Sequence, residues 1–304
     1  MGAQDSWGQV TRLLSGFYTV QIGNEQIVCQ LRGRLKKEPV EGDRVALGDR
    51  VRITRQLDGS GMIEEIEQRS HALIRKASSF RGVFRQVLLA NPDQVVFVFA
   101  CANPEPHLRM LDRFLVIAEQ QGIPAVIVAN KVDLVDLEDA RAKFDLYEPI
   151  GYPVHYTSIK SGLGIASLRS LLTGRLSALA GPSGVGKSSL LNVIQPNLGL
   201  AVREVSLATT KGRHATVVRQ MFPLDGGGYV ADLPGIRMLS LWDIQPEELD
   251  GYYPELRGLV KDCYYNDCTH LNEPGCAVRA AVEAGTVRPE RYDSFLRLRF
   301  GEED

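Results

Sequence analysis

The octapeptide Gly181-Pro182-Ser183-Gly184-Val185-Gly186-Lys187-Ser188 constrains this chain more than any other feature. It is a full G-x-x-x-x-G-K-S match. An apolar run, Leu176-Ser177-Ala178-Leu179-Ala180, precedes it, and the apolar-periodic Ser189-Leu190-Leu191-Asn192-Val193-Ile194 follows. Strand, glycine-rich loop and helix form the context in which backbone N–H groups close around phosphate oxygens at a helix N-terminus. Lys187 is expected to reach the outer phosphates and Ser188 to ligate Mg²⁺. Ser189 completes the candidate nucleotide-binding stretch.

The octapeptide does not choose between ATP and GTP. Asn130-Lys131-Val132-Asp133, directly after the apolar Ala125-Val126-Ile127-Val128-Ala129, makes that choice. An ionised Asp carboxylate only accepts hydrogen bonds. It therefore matches the two donors of guanine, the ring N–H and the exocyclic amine, and adenine has no such pair. The stem of Lys131 would cover the base plane. Two further pieces belong with these. Asp232-Leu233-Pro234-Gly235 follows a strand-like Gly228-Tyr229-Val230-Ala231; Asp232 would hold Mg²⁺ through water, and the Gly235 N–H would sense the outermost phosphate. Thr157-Ser158-Ile159-Lys160, after Val154-His155-Tyr156, suits a loop buttressing the guanine through Ser158 and Lys160, and also suits an ordinary polar loop.

The order is unusual. In ordinary GTPases the phosphate loop comes first and the base-reading motif last; here the base-reading motif stands at 130, the phosphate loop at 181 and D-L-P-G at 232. A fold whose chain ends lie close together permits such a permutation. The loop after Asp232 then leads straight into the C-terminal part, which nucleotide state could thereby move.

Bulk properties set the frame. For 304 residues, at roughly 150 per domain, about two domains are expected, with one or three compatible. Hydrophobic content of 44% and charged content of 24% suit a soluble chain with a real core. The net charge of −2 does not mark a nucleic-acid binder, but its distribution is uneven. Residues 32–55 hold eight basic residues against four acids, and residues 69–85 hold five basic residues and no acid. That bias suits phosphate attraction or an ordinary solvated face. The longest apolar run, residues 95–102, spans eight residues, against about 20 needed to cross a bilayer. The N-terminus lacks a signal-peptide pattern. Met1-Gly2 with Ser6 fits the myristoylation pattern, one short enough to arise by chance. Of five cysteines, Cys29 and Cys101 lie in strand-like apolar runs, and this sparse usage fits a reducing cytoplasm.

Residues 1–68 read as all-β, with short alternating runs at 8–10, 16–20, 26–31, 42–45 and 51–53 and a turn at 58–61. About five short strands suit an OB-fold that binds RNA, or another small barrel with a structural role. Residues 69–90 read as a basic linker or mobile loop. Residues 91–241 alternate buried strand and helix, as an α/β domain does. Residues 242–304 turn polar, Tyr-rich and Cys-containing, a third, small domain. There Cys263-x4-Cys268-x-His270-x5-Cys276 supplies three thiolates and one imidazole, the four ligands of a closed structural zinc site. Disulfides are the alternative, disfavoured by the interposed His.

These residues together resemble the circularly permuted GTPases of small ribosomal subunit biogenesis known as RsgA, YjeQ or YloQ. The likeness covers nearly the whole chain: Gly16-Phe17-Tyr18, Cys29-x-Leu31-Arg32-Gly33, Gly42-Asp43-Arg44-Val45, Asp112-Arg113-Phe114-Leu115, residues 181–191, Gly212-Arg213-His214 and Cys268-x-His270-x-x-Glu273-Pro274-x-Cys276. The resemblance implies an OB-fold, a circularly permuted P-loop GTPase domain and a small zinc-binding domain with one structural zinc. It also implies Mg²⁺ with GTP, a cytoplasmic monomer, and hydrolysis stimulated by the small ribosomal subunit and its rRNA. Two departures matter. The family's segment after the His commonly reads Thr-Thr, whereas here it is Ala215-Thr216, so the Mg²⁺-binding threonine carries over to Thr216, with Thr209 and Thr210 as fallbacks. Ile236 follows D-L-P-G, so no Gln orients the attacking water there, and His214 is the candidate for that role. Two other readings start from the same residues: a GTP-dependent switch on RNA unrelated to ribosomes, and an RNA-binding module with a degenerate nucleotide site. The intact Lys187, Ser188, Asp232 and Asp133 argue against degeneracy, and ribosome-stimulated turnover separates the first.

Overall fold

A computed structural model describes residues 5–37, 42–79, 82–198, 219–232 and 244–301. The N-terminal unit is a closed five-stranded barrel. Its strands are β1 (Asp5–Leu14), β2 (Phe17–Ile22), β3 (Glu25–Leu31), β4 (Arg50–Arg55) and β5 (Gly61–Ile66), with a short helix α1 (Gly33–Lys37) after β3. The order is β1-β2-β3-β5-β4, closed by β4 on β1, with β3 and β5 parallel, which is OB-fold topology. Alternation drives it: Ile27, Cys29 and Leu31 of β3 point inward, while Glu25, Val28 and Gln30 are exposed. The run at 42–45, expected as a strand, is not one, and the fifth strand is instead β5 beyond the 58–61 turn. The loop before β4 is held by a buried carboxylate. Asp49 accepts from Ala46 N at 2.7 Å and from the Arg69 fork at 2.7 Å to each oxygen, and the same guanidinium reaches the Asp43 and Arg44 carbonyls at 3.1 Å.

The basic stretch expected as a linker or mobile loop is a β-hairpin, β6 (Ala72–Ser79) and β7 (Gly82–Ala90). Its apolar base, Leu73 and Val87 through Ala90, is buried. The Gln121 side chain clips it by accepting from the Ile74 N–H at 2.9 Å and donating to the Ile74 carbonyl at 3.2 Å. The basic centre of the stretch obscured this alternation in the sequence.

The next unit is an α/β layer. In chain order it runs β8 (Gln94–Ala100), α2 (Leu108–Gln120), β9 (Ala125–Asn130), α3 (Leu137–Phe144), β10 (Val154–Thr157), α4 (Ile165–Leu172), β11 (Leu176–Ala180), α5 (Lys187–Ile194), β12 (Arg219–Pro223) and β13 (Tyr229–Asp232). The sheet order is β10-β9-β8-β11-β13-β12, parallel except for β12. All of β8 and β11 is buried. Val95, Phe97 and Phe99 feed one core cluster and Val96, Val98 and Ala100 the other, the two faces of a covered parallel sheet. β12 also pairs with β1, Leu13 opposite Arg219, so one sheet runs from the barrel into the α/β layer.

The C-terminal unit, with α6 (Pro254–Arg257), α7 (Ala277–Glu283) and α8 (Pro289–Arg299), packs on α2, whose Val116 lies in its apolar cluster with Leu249, Tyr253, Leu256, Val278 and Phe295. At this seam Arg291, 2% exposed, donates to Asp112 Oδ1 at 2.5 Å and Glu255 Oε1 at 2.6 Å and lies 4.4 Å over the Tyr253 ring. Asp112 also accepts from the Tyr147 hydroxyl at 2.8 Å. Removing one member of a buried, hydrogen-bonded ion group strands the others. Arg291→Met is therefore expected to destabilise the fold by about 3–5 kcal/mol. The denaturant midpoint of the first unfolding transition measures this, and a loss below about 1 kcal/mol would remove the ion group from the account of the seam.

Candidate nucleotide site and metal centre

Parallel strands deliver the loops that follow them to one edge of the sheet. Here the phosphate loop leaves β11 and the base-reading loop leaves β9, with β8 between them. The phosphate loop is pressed against its neighbours. Gly181 has φ +145°, and a Cβ there would stand 2.1 Å from the Val98 carbonyl oxygen. Gly186 has φ +97°, and a Cβ would stand 2.6 Å from Asn130 Nδ2. Neither position admits a side chain. Lys187 begins α5, and its ammonium donates to the Gly181 and Pro182 carbonyls at 2.9 and 2.8 Å, folded over the loop. Ser188 and Ser189 occupy the same first turn, and Ser183 is exposed at the loop crest while Val185 is buried.

Asn130 is 1% exposed and ties the two loops together: its Nδ2 donates to the Val185 carbonyl at 2.8 Å. Its Oδ1 accepts from Thr157 Oγ1 at 3.0 Å, which fixes the amide orientation. Lys131 adopts a left-handed conformation, φ 60°, and its ammonium donates to the Gly184 carbonyl at 2.6 Å and to that of Asn103. Burial pulls this ammonium below the usual lysine range. Val132 is buried and Asp133 exposed. One Asp133 oxygen accepts from the buried Ser158 hydroxyl at 2.6 Å. A carboxylate has about four lone-pair sites, so acceptor capacity for two further donors is kept. Ser158 in turn is set by its own N–H to Leu163 O, 3.0 Å, and Lys160 is exposed on the same loop.

The structure thus brings Asn130 and Lys131 against Gly184, Val185 and Gly186, and bonds Asp133 on the same loop to Ser158. Asp232 ends β13 directly beside the strand that feeds the phosphate loop, paired with Leu179. Gly235, His214 and Thr216, with Thr209 and Thr210, lie outside the described residues. Sequence reading missed Thr157 as the group that orients Asn130, although it precedes Ser158 at a strand end. It also missed the Asn103 carbonyl, for which no local pattern exists.

The second cluster is in the C-terminal unit. The ligand atoms of Cys263, Cys268, His270 and Cys276 all lie within 4.8 Å of one another. His270 Nδ1 stands 3.6 and 3.5 Å from the sulfurs of Cys263 and Cys276. With Zn–S about 2.3 Å and Zn–N about 2.0–2.1 Å, a tetrahedron sets N and S about 3.6 Å apart, so this donor set fits zinc. Burial pushes the Cys268 thiol up to about 12, so a bound cation is what would hold this sulfur as a thiolate. A supporting shell is in place. Asp250 lies 3.2 Å from His270 Nε2, the Tyr292 hydroxyl donates to the His270 carbonyl at 2.5 Å, and Cys276 caps α7 by accepting from Arg279 N at 3.4 Å. Asp250, twenty residues before the histidine, carried no sequence signal.

Comparison with known proteins places this geometry. The RsgA GTPase family matches residues 66–242, and the RsgA N-terminal domain matches residues 7–63. The chain is 49% identical over 284 residues to the small ribosomal subunit biogenesis GTPase RsgA of Gemmatimonas aurantiaca, covering 93% of this chain and 92% of that one. It is 44% identical to the RsgA of Moorella thermoacetica, covering 95% and 94%. Among solved structures it resembles YjeQ from Thermotoga maritima, with TM-score 0.79, 36% identity and 98% of each chain covered. It also resembles YloQ, described as a circularly permuted GTPase, with TM-score 0.75, 32% identity and 98% and 95% covered.

Two outcomes follow from the packing. Gly186→Ala drives a methyl into the Asn130 amide and breaks the bond that joins the loops, so affinity for a fluorescent guanine nucleotide is expected to fall at least about tenfold. An unchanged titration would show that the loops are joined by something else. Metal analysis of protein purified without added zinc is expected to find about one zinc per chain, and chelation to lower its melting temperature by several degrees. A stoichiometry near zero would remove the metal centre.

Proposed function

Because this chain belongs to the RsgA GTPase family, we propose that it hydrolyses GTP during late maturation of the small ribosomal subunit, in a reaction that the subunit stimulates. The observation that carries this is the joining of the two loops by Asn130. The group that reads the base and the loop that cradles the phosphates are one hydrogen-bonded assembly, built for a guanine nucleotide and spanning it from base to phosphates.

In this reading Asp133 accepts from the guanine ring N–H and exocyclic amine, while the Ser158 bond holds its carboxylate in plane. Lys131 lies over the base with its ammonium tied to Gly184. Backbone N–H groups of 183–188 bind the phosphates. Lys187 leaves the carbonyls of Gly181 and Pro182 for the outer phosphate oxygens, and Gly235 senses the outermost phosphate. Ser188, Asp232 and Thr216 would hold the Mg²⁺, which when bound neutralises charge on the transferring phosphoryl group. Ser188 on α5 and Asp232 beside Leu179 come from adjacent strands, which suits that ligand set. Ile236 offers no polar group to the attacking water, so that task falls to His214, with the bound subunit completing the site. The barrel, by its OB-fold topology and with the basic 69–85 stretch that follows it, is assigned the rRNA contact.

The decisive measurement is GTP turnover of the full chain alone, with purified small subunits and with large subunits. Slow turnover alone and acceleration of a hundredfold or more by the small subunit are expected, on the order of what an ordered water-positioning group supplies. Acceleration by the large subunit alone would overturn the assignment. Asp133→Asn is expected to move preference from guanine to xanthine nucleotides, since Asn offers a donor where xanthine has a carbonyl; a variant that still prefers GTP refutes the role given to Asp133. His214→Ala should remove most of the stimulation while nucleotide affinity stays nearly constant, and unchanged stimulated turnover rules His214 out.

A further inference from the structure

The zinc knuckle carries two aromatic side chains that neither the nucleotide site nor the metal uses. Tyr264, between Cys263 and Tyr265, is 78% exposed, the most exposed aromatic side chain among the described residues, and Tyr265 is 42% exposed. Their rings pack edge to face, 4.9 Å apart at 80°. The backbone beneath them is clamped. The Tyr264 N–H donates to the Gly275 carbonyl at 3.1 Å, and Gly275, with φ +72°, lies so close that a Cβ there would stand 2.9 Å from the Tyr264 Cβ. With Cys263 and Cys268 as metal ligands on either side, the pair is presented on a loop that loses little freedom when something docks on it.

The charge around the pair selects the partner. Residues 261–276 contain Asp262, Asp267 and Glu273 against a single lysine, Lys261. A Zn²⁺ on three thiolates adds one more negative charge. Across residues 244–301 there are ten acids against seven basic residues; Arg291 and Arg299 are buried and paired with Glu255 and Asp250, which leaves eight acids against five basic residues. The 69–85 stretch differs in sign: it holds five basic residues and no acid. Nucleic-acid backbones bind where Lys and Arg neutralise phosphates. They are repelled here, whereas lysine and arginine side chains gain both carboxylate pairing and the faces of two tyrosines.

We propose that the Tyr264–Tyr265 edge of the zinc knuckle docks a Lys- and Arg-rich segment of a protein of the small ribosomal subunit, by cation–π contact and by pairing with Asp262 and Asp267. The choice of that protein source rests on the function proposed above.

The test places a photoreactive benzophenone amino acid at position 264 of the full, zinc-loaded chain, bound with GTP to purified small subunits and irradiated. The adduct is expected to keep its gel mobility after ribonuclease treatment, which marks a protein partner. In parallel, Tyr264→Ala with Tyr265→Ala is expected to weaken co-sedimentation with small subunits roughly tenfold, and Asp262→Lys with Asp267→Lys to weaken it more at low salt than at high. Tyr264→Phe should retain affinity, because the ring face is kept. Zinc content and basal turnover equal to those of the unmodified chain show that each variant is folded. An adduct that collapses with ribonuclease, no adduct, or an unaffected affinity overturns this proposal alone. Failure of the unmodified chain to co-sediment with the small subunit overturns it together with the function it rests on.

Discussion

The nucleotide edge depends on one pairing, that of β8 with β11 in parallel. Phe97 opposite Ala180 brings the Val98 carbonyl under Gly181 and leaves β9, one strand further, to put Asn130 beneath Val185. The constraint is spatial: a phosphate loop and a base-reading loop must emerge at the same edge, one strand apart, whatever order the chain visits them in. Permutation leaves that neighbourhood intact and changes which unit each end of the sheet leads into.

The units on either side are bound in different ways. The barrel joins by backbone hydrogen bonds, β1 against β12, and by the Asp43–Arg219 ion pair at 3.7 Å. The C-terminal unit joins through buried side chains, Arg291 between Asp112 and Glu255 with Tyr253 beneath. A strand ladder transmits displacement along its length, whereas a buried ion group resists it, because every partner it gives up is left desolvated. The barrel is thus joined to the α/β layer through β12, and the C-terminal unit through α2.

What could be read in the sequence was what chemistry ties to fixed spacing. Glycines 181 and 186, Lys187, the Asn130–Asp133 loop and the three cysteines with His270 each need one residue type at one position, and the structure brings each group together. The barrel was legible as a set of short alternating strands, but not in detail. Residues 42–45 look like a strand because Val45 points into the core, yet they are held by Asp49 and Arg69 rather than by a ladder. The 69–90 hairpin was hidden because its basic residues outweigh the apolar base at Leu73 and 87–90 in any local reading. Thr157, Asp250 and the Asp112–Arg291 pair act across 27, 20 and 179 residues, and no local pattern announces partners so far apart. His214, Thr216 and Gly235 stand where the sequence left them.

Helix α2 has no outer face of its own at Val116. Its other apolar residues, Leu111, Phe114, Leu115 and Ile117, belong to the core of the sheet, while Val116 is fully buried in the C-terminal apolar cluster that also contains Tyr253, Phe295, Cys268 and Cys276. One helix therefore completes two cores, and the second contains the candidate metal centre. If zinc binds there and is withdrawn, any loosening of the C-terminal unit would uncover Val116 and leave Asp112 without its guanidinium. Through that one helix, metal occupancy of the C-terminal unit and folding of the GTPase layer would be linked in a single equilibrium.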